Sequence, residues 1–229
     1  MTTIVAVQGP SWAVVGFDSQ VTEDPGRRYT MSRGSSKVVK NGDYLLGAAG
    51  DVRAINILAH SFRPPPVGDL LGVKLDRFMT SRFVPALRTH FEEQGYAAPT
   101  KESKEIAEQG SKVLAVANGV IYVIGEDYSW VRDATGVYSF GSGGDYAAGA
   151  LFALGADLSV SSSSMMTTEK AVRKALAVAA RLDPGTGNPF HVMTQSEPVR
   201  SRRSPTRSRK KKPRSGSKDV IVDSRRKSK

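Results

Sequence analysis

Thr2 carries the most distinctive chemistry in the chain. A Met followed by a small residue is removed by cellular processing, which would leave Thr2 at the terminus with a hydroxyl and a free α-amine on one Cα. Such an amine has an unperturbed pKa of about 7.7–8.0 and can act as the base for its own hydroxyl. Asp18 and Lys37 have ordinary readings on their own, a turn aspartate and a solvated edge lysine beside valines. Together they have a chemical logic. A lysine near a terminal amine keeps it neutral by like-charge repulsion, and an aspartate paired with the lysine fixes its place. Ser142, inside Gly141-Ser142-Gly143-Gly144, can donate a hydrogen bond towards a nearby amine. That glycine run lacks the spacing of a phosphate loop or of a nucleophile elbow, so by itself it is a tight strand-to-helix turn. Asp183-Pro-Gly-Thr186-Gly187 reads as a helix stop.

The elements that must position these residues are short. Residues 2–8 and 11–17 are β-rich runs joined by Gly9-Pro10, and 37–39 and 44–50 are further strands around Asn41-Gly42. Asp51 stands at a helix N-cap before Ala54, Ile55, Leu58 and Ala59, and that helix stops before Pro64-Pro65-Pro66. A second helical pattern covers about 73–94, and the polar stretch 95–111 reads as a loop or frayed helix. A hairpin, 114–118 with 120–124, is followed by strands at 130–131 and 137–140. A third helix spans about 145–154. A fourth, capped by Thr167 or Thr168, runs to about Leu182, and 190–194 is a last strand. Small, alanine-rich helices on antiparallel strands predict a layered α+β domain, with two sheets face to face and helices outside.

Composition excludes several classes. There are no cysteines, so disulfides, a thiol nucleophile and thiolate metal sites are out. His60, His90 and His191 have no ligand spacing between them. No apolar run of about 18 residues and no leader pattern is visible, so neither a membrane span nor a signal peptide is expected, and the reducing cytoplasm fits. The net charge of +11 is unevenly placed. Residues 200–229 hold 14 Lys and Arg against two Asp, about +12, which leaves residues 1–199 near −1.

Taken together, residues 2–195 resemble the proteasome β-subunit and HslV-type superfamily of N-terminal nucleophile (Ntn) hydrolases. The resemblance rests on Thr2-Thr-Ile-Val-Ala-Val, Gly16-Phe-Asp18-Ser-Gln-Val-Thr22, Lys37, Ala48-Ala-Gly50, Phe140-Gly-Ser142-Gly-Gly and Asp183-x-x-Thr186-Gly. It implies a four-layer αββα sandwich and a threonine-type endopeptidase. In that reading Thr2 is the nucleophile and Asp18 and Lys37 tune its amine. Ser142, Asp183 and Thr186 support them, although the family has serine where this chain has Thr186. The resemblance also implies that Gly50 supplies an oxyanion N–H, Thr22 binds substrate backbone and Ala48 lines the first specificity pocket. No metal or organic cofactor is implied. The partners implied are a peptide or unfolded protein substrate, further copies of the chain in a ring, and an ATP-dependent unfoldase. The residues leave two other readings open: a catalytically silent subunit, and an Ntn amidase acting on a small amide. Residues 196–229, rich in Ser, Arg, Lys and Pro, are expected to be a disordered tail with no core of their own. Their charge suits nucleic acid or another polyanion, through 200–229, or plain solvation.

Overall fold

The computed structural model describes residues 2–23, 26–32, 34–96, 110–155 and 164–198. The basic tail from residue 199 onward and most of the 95–111 loop lie outside the described residues.

Two antiparallel sheets form the centre of the molecule. One has the order β10-β1-β2-β11, built from Val137–Phe140, Ile4–Gln8, Trp12–Phe17 and His191–Ser196. The other has the order β5-β6-β7-β8-β9, built from Val38–Asn41, Tyr44–Ala49, Lys112–Ala117, Val120–Ile124 and Trp130–Val131. The period-2 alternation of a strand sends neighbouring residues to opposite faces, and here both faces are apolar. In β1, Ile4 and Ala6 join Ala13, Val15 and Phe17 of β2 and Leu45, Leu114 and Val116 of the other sheet. Val5 and Val7 face away, onto Ala147 and Leu151 of α4 (Gly144–Ala153) and Val172 and Leu176 of α5 (Met165–Leu182). On the second sheet, Tyr44, Leu46 and Ala48 turn outward. They pack on α1 (Val52–His60), α2 (Val73–Phe78) and α3 (Val84–Glu93) through Leu58, Leu75, Leu87 and Phe91. Three apolar cores thus alternate with sheets and helices, giving the expected four αββα layers. Burying a side chain such as Ile4 or Phe91 contributes about 1.5–3 kcal/mol, so these cores dominate stability.

Several local features differ from expectation. The helical stretch 73–94 is interrupted by a π turn over Met79–Phe83. Pro85 has no N–H to offer, and just before it the ladder widens so that the Val84 N–H reaches Met79 O. The cap of α5 is Ser164, whose hydroxyl accepts from Thr167 N, not Thr167 or Thr168. Thr168 lies inside the helix with its own hydroxyl on Ser164 O. A separate hairpin, β3 (Gln20–Glu23) with β4 (Arg27–Thr30), occupies part of the polar stretch between Phe17 and Lys37, where the sequence pattern predicts no strand pair. Asp51 does cap α1, accepting from Arg53 N at 2.8 Å.

Candidate active site

The antiparallel register of β1 and β2 pairs Ile4 with Phe17, so residues 2–3 lie against 18–19. Asp18 is fully buried and its carboxylate accepts four hydrogen bonds. Oδ1 takes the Thr3 N–H at 2.9 Å and Lys37 Nζ at 2.5 Å. Oδ2 takes the Gln20 N–H at 3.0 Å and the Gly187 N–H at 3.1 Å. Lys37, immediately before β5, is also fully buried and makes a second bond, to Gln20 O. Burial pushes the Lys37 ammonium below its ordinary pKa, against the pull of Asp18 towards the charged form. The edge-lysine reading is therefore replaced by a buried ion pair.

A second cluster lies on the other side of residues 2–3. Asp183, the C-cap of α5, accepts Ser142 Oγ at 2.8 Å and Thr186 Oγ1 at 2.6 Å on Oδ2, and the Gly185 N–H at 3.0 Å on Oδ1. Burial raises the Asp183 pKa, but the Thr186 hydroxyl, the Gly185 N–H and the Ser142 hydroxyl outweigh it and hold the group below the usual carboxylate range. Thr186 Oγ1 lies 2.5 Å from Thr3 Oγ1. Two glycines make room for this contact. A Cβ on Gly143 would sit 2.3 Å from both of those hydroxyl oxygens. Gly141, at φ 81, lies so close to Thr2 that a Cβ there would be 1.7 Å from the Thr2 carbonyl oxygen.

The structure therefore brings Thr2, Asp18, Lys37, Ser142, Asp183 and Thr186 into one neighbourhood through Thr3. Thr22, in β3, is linked to it by Gln20, whose Nε2 donates to Thr22 Oγ1 at 3.1 Å and to Pro184 O at 2.7 Å. Gly50 follows β6 at φ 137, a conformation suited to glycine, and a Cβ there would be 2.5 Å from Gly110 O. Ala48 stands apart, fully buried on the face of β6 turned towards α1.

Sequence reasoning missed Thr3, Gln20, Gly143, Gly187 and a support beneath Gly50. There Ser111 Oγ accepts the Asp51 N–H at 2.9 Å and meets Tyr96 Oη at 2.7 Å. Nothing in the sequence pairs Ser111 with Asp51, whereas Thr3 is signalled by its place beside Thr2. A cavity of about 440 Å³ opens along β10, with Phe140, Tyr138, Val123 and Lys112 among its walls. Two of its wall residues are strand partners of neighbouring elements, Phe140 of Ile4 in β1 and Lys112 of Ala49 in β6. Among the described residues no group of three or more His, Asp or Glu is placed to hold a metal ion, and no helix is long and apolar enough to cross a membrane.

No protein-family model and no curated protein matches the sequence. Solved structures do match. Thiobacillus denitrificans BPH in complex with epoxomicin superposes with a TM-score of 0.65 at 18% identity, covering 86% of this chain and 100% of that one. A second Thiobacillus denitrificans BPH structure gives 0.63 at 18% identity, covering 85% and 98%. Eukaryotic HslV from Trypanosoma brucei gives 0.56 at 20% identity, covering 86% and 100%. The chain has the fold of the proteasome β-subunit and HslV-type Ntn hydrolases.

Proposed function

We propose that the chain is a threonine endopeptidase whose nucleophile is Thr2, exposed by removal of Met1. The observation that carries this reading is the convergence of a buried Lys37–Asp18 pair and an Asp183–Thr186–Ser142 cluster on residues 2–3. In the proposed reaction the Thr2 amine takes the proton from Thr2 Oγ, and Oγ adds to a peptide carbonyl. The Gly50 N–H meets the oxyanion, a contribution worth about 2.7–4 kcal/mol per donor. The tetrahedral intermediate expels the amine of the downstream peptide, which leaves with the proton. Water then hydrolyses the threonyl ester and restores Thr2. Lys37 has three N–H donors. Asp18 and Gln20 O engage two of them, and in the proposed reaction the third goes to Thr2 Oγ. Thr22 pairs with substrate backbone, and the cavity beside Phe140 receives a flanking side chain.

The substrate class is a peptide or unfolded protein chain, and the subunits close into a ring that confines the sites. Exposed Tyr146 and Phe152 on α4 and Val178 and Leu182 on α5 support association of copies. Delivery by an ATP-dependent unfoldase and a cytoplasmic setting complete the proposal. The concentration of about +12 in residues 200–229 supports a further role for that segment, salt-sensitive binding of nucleic acid or another polyanion.

The deciding experiment is intact mass before and after epoxomicin, the ligand of the Thiobacillus protein. Met1 absent and one adduct per chain, abolished in Thr2→Ala, is the expected result. Met1 absent with no adduct in the wild type would overturn a competent nucleophile and favour a silent subunit. An adduct with turnover of small amides but not peptides would overturn the peptidase assignment.

A further inference from the structure

Thr3 takes part in no step of the proposed reaction, yet it is fully buried and each of its polar groups is committed. Its N–H donates to Asp18 Oδ1 at 2.9 Å, and its carbonyl accepts the Asp18 N–H at 3.2 Å. Its hydroxyl lies 2.5 Å from Thr186 Oγ1. The direction of that last bond follows from proton counting. Asp183, held below the ordinary carboxylate range, is ionised at neutral pH and can only accept. Thr186 has a single hydroxyl proton, and at 2.6 Å from Asp183 Oδ2 that proton is spent on the carboxylate. Thr186 Oγ1 is then the acceptor and Thr3 the donor. The protons run in one order, from Thr3 to Thr186 to Asp183, with Ser142 entering Asp183 Oδ2 from the other side.

We infer that Thr3 is a positioning residue for the nucleophile, a clamp that fixes Thr2 by tying its next peptide to both halves of the site. Two anchors on Asp18 hold the backbone, and the hydroxyl holds the side chain to the 183–187 turn. Gly143 supports the assignment. A side chain there would displace both hydroxyls, since its Cβ would sit 2.3 Å from each. Because Thr2 is joined directly to this clamped residue, tilting Thr3 re-aims Thr2 Oγ. Displacements of about 1 Å in such geometry cost on the order of 100-fold in rate.

The inference rests on Thr2 being the nucleophile, and its test separates the two. Wild type, Thr3→Ser, Thr3→Ala, Thr186→Ala and the Thr3→Ala/Thr186→Ala double variant are compared in peptide hydrolysis, in the rate of epoxomicin adduct formation and in thermal unfolding. Thr3→Ser keeps the donor and is expected within about threefold of wild type. Thr3→Ala is expected to lose about 10- to 100-fold in kcat and in adduct rate, with KM within twofold and the final stoichiometry still one adduct per folded chain. The double variant is expected to be no slower than the slower single variant, because one chain of bonds is broken once. Folded Thr3→Ala at wild-type kcat overturns the clamp while leaving Thr2 in place, as does additive loss in the double variant. An unreactive wild type overturns the underlying reading instead. If Thr3→Ala fails to fold, Thr3→Ser and Thr186→Ala still decide: wild-type kcat in Thr186→Ala refutes the proposal.

Discussion

Gly143→Ala tests the hydroxyl network by adding one methyl and nothing else. Gly143 sits at φ −87 and ψ 0, the bridge region that non-glycine residues take at the third position of type I turns, so the backbone does not require glycine there. The side chain does. Its Cβ would lie 2.3 Å from Thr3 Oγ1, 2.3 Å from Thr186 Oγ1 and 2.9 Å from Asp183 Oδ2, where ordinary contact begins near 3.4 Å. The two hydroxyls must each retreat by about 1.1 Å or the turn must move. Overpacking of this size costs about 1–3 kcal/mol. The loss of glycine's freedom in the unfolded chain returns about 0.4–1 kcal/mol, so the net stability change is about 0–2.6 kcal/mol destabilising. Activity should fall as well, because about 1 Å of misplacement costs on the order of 100-fold, about 2.7 kcal/mol of barrier. The assay is epoxomicin adduct formation by mass, with differential scanning fluorimetry alongside. Gly149→Ala is the control: it lies in the middle of α4 with nothing within 4 Å of its Cβ position. That control should keep full reactivity and gain about 0.5–1 kcal/mol. Gly143→Ala labelling at the wild-type rate would refute the link between this network and the nucleophile.

Other perturbations follow from the same geometry. Lys37→Met leaves the buried Asp18 carboxylate without its cation and should cost about 3–5 kcal/mol in urea unfolding, with adduct formation abolished; a change under 1 kcal/mol would contradict the buried pair. Asp183 has a folded-state pKa below its unfolded value, so its stabilisation is present above about pH 3.9 and is lost as pH falls through the lower folded value. Acid titration of Asp183→Asn should therefore lack part of the wild-type loss in that range, and superimposable wild-type and variant slopes would rule this out. Ser111→Ala removes the acceptor of the Asp51 N–H beside Gly50, a neutral hydrogen bond worth about 0.5–1.5 kcal/mol of stability, and kcat is expected to fall by at most about 13-fold, the limit at which the whole loss is felt in the transition state. Unchanged kcat would show that Ser111 does not steady that turn. Deleting residues 200–229 should abolish retention on heparin at moderate salt without altering peptide turnover, and undiminished retention would remove the tail from polyanion binding.

How much of this was legible from the residues depended on the distance over which each residue acts. The strands were visible because Ile4, Ala6, Val15 and Leu46 alternate with residues that also face apolar layers, and Asp51 announced α1 through its own local bond. The β3–β4 hairpin was not visible, because Arg27–Thr30 is exposed at every position and carries no apolar alternation. In the site, residue types marked Thr2, Asp18, Lys37 and Ser142, and the order of motifs marked Asp183 and Thr186. What the sequence could not express was the contact between Thr3 and Thr186, whose positions differ by 183 in number yet whose oxygens lie 2.5 Å apart. Gly143 looked like an ordinary turn glycine for the same reason.

That long-range closure also says when the site can exist. The turn carrying Asp183 and Thr186 reaches residues 2–3 and 18–19 because β11 pairs with β2, His191 opposite Phe17 and Ser196 opposite Trp12. Gly187 then donates to Asp18 Oδ2, and its carbonyl accepts the Ser19 N–H at 3.2 Å. The Lys37–Asp18 pair can form from the first 40 residues, but Asp183, Thr186 and the hydroxyl contact with Thr3 arrive only when α5 and β11 have docked on β1 and β2. Loop closure over such separations costs entropy before any contact offsets it. The arrangement proposed to be reactive around Thr2 is therefore completed late in the chain, by α5 and β11 together, so substitutions in β11 remote from Thr2, such as Val192→Pro, should silence labelling even where the rest of the fold survives.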